Sequence, residues 1–102
     1  MPLYRKKPIV IEARQWTGGA IAAGPIINWI LTGEYVAVWV EGLPEIKASN
    51  GEFVQFLEPE HIRLNTFEGV TSVVVGDWIL RNVQGEFDRC SNEVFETSYE
   101  AV

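Results

Sequence analysis

Cysteine and histidine occur once each among the 102 residues, as Cys90 and His61, and methionine occurs once. One cysteine excludes an intrachain disulfide. One cysteine and one histidine exclude a self-contained zinc site, which takes three or four such ligands. No apolar run approaches the roughly 20 residues of a membrane-spanning helix. Low-complexity tracts, Pro/Ser-rich linkers and the Asn-x-Ser/Thr acceptor are missing. So are the Gly-x-Ser-x-Gly elbow, the phosphate-binding P-loop and the Gly-x-Gly-x-x-Gly turn, which removes the common signatures of acyl-transfer, nucleotide-hydrolysing and dinucleotide-binding enzymes. The expectation is a protein without cofactor or metal, and not an enzyme.

Present instead is the composition of one globular domain over residues 1–102: 47% hydrophobic, 12% aromatic and 22% charged. The formal net charge is −6, which disfavours general nucleic-acid binding, since phosphate neutralisation dominates that affinity. The charge is unevenly laid out. Residues 1–14 hold Arg5, Lys6, Lys7 and Arg14 against Glu12, whereas residues 86–102 hold five acidic residues against Arg89. The basic cluster is expected to dock on Glu93, Glu96 and Glu100, with phosphate or partner binding as its other role. No apolar signal core follows Arg5-Lys6-Lys7, and the expected location is the cytoplasm.

Ile9–Trp16 reads as a strand, with Ile9, Ile11, Ala13 and Gln15 facing the core because that face is the more apolar. Helical spacing of Ile26, Ile27, Ile30 and Leu31 predicts one main helix over about 20–32, stopping near Gly33. Tyr35–Val40 is the strongest strand, and Glu45–Ala48 is expected to pair back on it. Short strands follow at 53–57, 61–65 (Ile62 and Leu64 inward), 70–74, 78–81 and 86–90, and Ser91 is placed to cap a short C-terminal helix. The fold class is α+β, with a mostly antiparallel or mixed sheet, curled or barrel-like. Tyr35–Val40 is apolar on both faces while one helix covers only one of them, which predicts a homodimer.

Candidate chemistry is sparse. Cys90 and His61 are one nucleophile and one base with no spacing to join them, and Cys90 reads as a packed thiol. Glu58 and Glu60 flank Pro59 and read as a solvated turn. Asp77, in the Gly76-Asp77 corner, reads as architecture. Trp16 and Trp78 lie next to polar turn residues and are candidates to stack on a flat ligand, with Arg5, Lys6, Lys7 and Arg14 for its phosphates, or to sit in an oligomer interface; Trp29 and Trp39 read as core, and core packing is the majority reading for any one of the four.

The opening Tyr4-Arg5-Lys6-Lys7-Pro8-Ile9-Val10-Ile11-Glu12-Ala13, then Gln15-Trp16-Thr17-Gly18, resembles a widespread group of small bacteriophage and prophage proteins of unknown function. The resemblance extends to Gly76-Asp77-Trp78-Ile79, Gly85-Glu86-Phe87, Cys90, Phe95 and Thr97-Ser98-Tyr99-Glu100. It departs at Asp88-Arg89, where the group often has an aromatic residue and proline, and it leaves residues 20–70 unmatched. It implies a viral accessory protein in the host bacterial cytoplasm, acting by stoichiometric binding in host takeover or counter-defence. Such a protein would inhibit a host protein, through an acidic or aromatic face, or sequester a nucleotide signal. A structural or assembly role in the virion is the alternative.

Overall fold

Strands distant in sequence pair with one another here alongside three hairpins of sequence neighbours. The computed structural model describes residues 2–5 and 7–102. Strand β1 (Glu12–Gln15) leads through Trp16 and a two-glycine bend into helix α1 (Ala20–Leu31). Then come β2 (Val36–Val40), the hairpin β3 (Ile46–Lys47) and β4 (Phe53–Gln55), β5 (His61–Thr66), β6 (Gly69–Val74), β7 (Trp78–Arg81), β8 (Phe87–Cys90) and α2 (Asn92–Ser98). The class is α+β.

All pairing is antiparallel, in three separate sheets ordered β1-β7-β8, β2-β5-β6 and β3-β4. The curled or barrel-like sheet expected from strand spacing is therefore not formed. The local cause is the turn at 49–51. Gly51 takes φ 88°, the Glu52 N–H donates to Asn50 Oδ1 at 3.0 Å, and β3 closes on β4. It does not pair back on β2, whose partner is β5, with Ala37 opposite Leu64 and Trp39 opposite Ile62.

Helix α1 buries Ala23, Ile26, Trp29 and Ile30 along one stripe. Pro25 lies inside it, and the helix ends where the Thr32 hydroxyl donates to the Trp29 carbonyl at 2.6 Å. The buried stripe meets Ala37, Ile62, Leu64 and Val73 from the inner face of β2-β5-β6. Ile79 and Phe87 arrive from the other sheet, and Trp16 completes the core. The Trp29 and Phe87 rings meet edge to face at 5.0 Å.

The core side of β1 is the reverse of the expected one. Arg14 is opposite Ile79 and Glu12 opposite Arg81, which is opposite Phe87; ladder partners share a face, so Glu12 and Arg14 point to the side where Ile79 and Phe87 are buried. Arginine is tolerated there because its guanidinium lies over the Trp29 ring, 4.5 Å from the centroid. The face bearing Ala13, Gln15, Trp78 and Cys90 is covered instead by α2, where Phe95 stacks on Trp78 at 3.8 Å. Regular pairing of β1 starts only at Glu12, because β7 ends at its partner Arg81; Ile9 and Val10 are exposed.

Candidate functional site

The residues singled out as ligand contacts do not assemble. Trp16 is 0% exposed, and its indole N–H donates to the Gly19 carbonyl at 3.1 Å. Its ring is core, so neither face is open to a stacked ligand. Trp78 is half-buried on the opposite side of the β1-β7-β8 sheet from Arg14, with Phe95 on its ring and Asn92 Oδ1 accepting from its N–H at 2.9 Å. Arg14 lies over Trp29. Arg5 and Lys7 are exposed, and Lys6 lies outside the described residues. Among the described residues no ion pair joins Arg5 or Lys7 to Glu93, Glu96 or Glu100; the pairs formed are Lys47–Glu45, Arg81–Glu12 and Arg89–Asp77. Arg5 and Lys7 thus make no part of the expected docking, and the share expected of Lys6 lies outside the described residues. Both ends are exposed, and opposite charge in water is too weak to hold them together unaided.

Asp77 is the one buried charged residue among those described, 4% exposed. Gly76, at φ 95°, turns the chain so that Asp77 Oδ2 accepts the Val74 N–H at 3.0 Å and the Arg89 Nε–H at 2.5 Å. That satisfies the carboxylate and makes it architecture, as the corner sequence implies. Cys90 is a free thiol, buried beside it. Burial raises its pKa, the carboxylates of Asp77 and Asp88 raise it further, and Arg89 opposes them. This thiol stays protonated and unreactive at neutral pH. His61 is half-buried and within 2.9 Å of the Pro59 carbonyl. Among the described residues no group of three His, Cys, Asp or Glu is arranged to hold a metal.

Glu60 departs from the solvated turn expected of it. It is half-buried, and its Oε1 accepts the Gly19 N–H at 2.5 Å and the Trp39 indole N–H at 3.0 Å. It joins the start of α1 to the base of the β3-β4 hairpin.

Chemistry concentrates at a place the sequence did not single out. A shallow cleft of about 150 Å³ lies between the β5-β6 turn and the start of β8, lined by Tyr35, Phe67, Glu68, Glu86, Phe87 and Asp88 among others. Tyr35 and Phe67 are 5.2 Å apart, and Tyr35 meets Phe87 edge to face at 5.6 Å. Phe67 is 75% exposed, unusual for a phenylalanine at a turn. Among the described residues, three carboxylates line the cleft, and the one cation beside its rings is Arg81, whose guanidinium lies over Phe87 at 5.8 Å from the centroid. Burial raises the Tyr35 pKa, Glu86 adds to it, a backbone hydrogen bond with Phe87 pulls it down, and Glu68 and Asp88 raise it again. Tyr35 and Phe87 are core, 6% and 3% exposed, so the open platform is the Phe67 ring; with the carboxylates beside it, it suits a cation, above all a guanidinium, which can stack and pair with the acids together.

Sequence reasoning missed the cleft because its parts are remote. Glu86 and Asp88 read as members of an acidic terminus, Glu68-Gly69 as a turn with Phe67 before it unassigned, and Tyr35 as the first residue of a strand. The one signal available was the aromatic-acidic pair Phe67-Glu68 in a two-residue turn. A larger hollow of about 360 Å³ beside Val10, Glu12, Arg81 and Val83 has its one ion pair, Arg81–Glu12, already internally satisfied. No family model, curated protein or solved structure matches this chain.

Proposed function

We propose that this chain is a non-catalytic accessory protein of bacteriophage type, which binds a host protein stoichiometrically in the bacterial cytoplasm during host takeover or counter-defence. The observation that carries the binding mode is the Tyr35–Phe67–Glu86 cleft. Its rings and its three carboxylates favour an arginine-bearing segment of the partner. The resemblance of residues 4–18 and 76–100 to small phage proteins supplies the setting. Sequestration of a nucleotide is the weaker reading: Trp16 is core, Trp78 carries Phe95 on its ring, and the acidic cleft repels phosphate.

The test is affinity capture from host lysate, identification of the captured protein, and titration with that protein purified. Replacing Glu68, Glu86 and Asp88 by their amides should weaken binding at least tenfold, and added salt should weaken the parent complex more than the variant. A partner held equally by both proteins would sink the assignment to this cleft. Calorimetry with linear and cyclic nucleotides should give no heat; heat with any of them would restore the sequestration reading.

A further inference from the structure

Two segments hold no fully buried residue among those described. The first is the arm before β1, where Leu3 is 95% and Tyr4 93% exposed and Ile9 and Val10 are also exposed. The second is the hairpin from Leu43 to Glu58, in which no residue is buried and Phe53, Val54, Phe56 and Leu57 face solvent. Phe53 and Phe56 stack on each other at 4.7 Å. An isolated two-stranded hairpin is at best marginally stable in water, and a third strand or a packed face is what sustains it.

The molecular surface gives the same message in area. A folded monomer of 11.5 kDa exposes about 5,800 Å², whereas this chain exposes 7753 Å², an excess of roughly 2,000 Å². Its radius of gyration is 17.5 Å against about 13 Å for a compact chain of this length. A stable interface needs about 800 Å² from each partner, so the excess is sufficient for one.

We infer that the chain forms a two-fold dimer in which the arm of each copy adds as a strand to the 43–58 hairpin of the other. The two segments match in character. The arm is apolar and carries Arg5, Lys6 and Lys7 with no acidic residue, while the hairpin is apolar and carries Glu45, Glu52 and Glu58 against Lys47. They also leave the body at opposite ends of β1. The arm departs at Glu12, and the hairpin departs from Val40 and His61, near the end where Gly76 N–H donates to the Trp16 carbonyl and Glu60 holds Gly19. Pro8 keeps the arm extended, away from its own hairpin. Backbone bonding along a strand edge supplies affinity and the alternating apolar side chains supply fit. Reciprocal exchange closes the assembly at two copies. The acidic cleft takes no part, so this inference and the partner-binding reading stand or fall separately.

Light scattering on the full chain at micromolar concentration should return twice 11.5 kDa, and a single-chain mass for Tyr4→Glu and for Phe56→Glu. Both side chains are exposed in the single copy, so circular dichroism should match the parent. A mixture of Tyr4→Cys and Val54→Cys chains should form a disulfide between the two under mild oxidation, with buried Cys90 taking no part. A parent of single-chain mass, a mass that climbs past two chains with concentration, or a dimer that both glutamate variants leave intact would overturn the inference. Val54→Cys chains linking only to one another would overturn the arm as the occupant.

Discussion

At the scale of single residues, two buried polar groups set measurable properties. Asp77 holds the Val74 N–H and the Arg89 guanidinium at once. Asp77→Ala removes the acceptor of both; the Val74 N–H is part-buried and Arg89, with a side chain 39% exposed, can turn to water, so the loss is that of ordinary hydrogen bonds, about 0.5–1.5 kcal/mol each. Chemical denaturation should show a fall of that size in unfolding free energy with an unchanged denaturant slope. Tyr35 gives a pH signature. Its pKa is raised on folding, so the stability it contributes is complete below the ordinary value near 10 and is lost as pH rises through the higher folded value. Melting temperatures followed from pH 8 to 11 should fall more steeply for the parent than for Tyr35→Phe, with equal slopes in the two proteins refuting that origin.

At the scale of elements, the basic cluster and the acidic terminus stand apart. In a Phe56→Glu background, which keeps the chain single, replacing Arg5, Lys6 and Lys7 by alanine should leave the melting temperature within a degree or two, at low and at high salt. A salt-sensitive loss would mean that the cluster docks on Glu93, Glu96 and Glu100 after all. Legibility divides along the same line. The α1 stripe of Ile26, Trp29 and Ile30, the inward Ile62 and Leu64 of β5, the Gly76-Asp77 corner and the Ser91 cap, whose hydroxyl accepts the Val94 N–H, are written in residues a few positions apart. The partner of β2 is not, because Glu45–Ala48 and His61–Asn65 are both short alternating strands. A nearby Asn50-Gly51 turn decides between them by taking β3 away. The facing of β1 was misread for a related reason. An arginine counts as polar in a pattern, and Arg14 is exposed, yet it shares the face of buried Ile79 because a tryptophan from a helix lies under its guanidinium.

At the scale of the whole molecule, 67 Å in its longest dimension, the chain is a small core with two uncovered extensions. The cleft draws on Tyr35, on the turn at Phe67 and on the start of β8, three places brought together only by the meeting of two sheets. No local pattern contains it: Tyr35 and Glu86 lie one residue outside the strands they are predicted to begin, and Phe67 falls between a predicted strand and a predicted turn. The pairing of β1 with β7, Glu12 against Arg81 through Gln15 against Trp78, has a consequence in time. The first strand to be synthesised has no partner until the ribosome has added more than sixty further residues, which at about 5–20 residues per second is on the order of 3–13 s. Through that interval β1 has both edges unpaired, which lengthens the time in which it can meet a wrong partner.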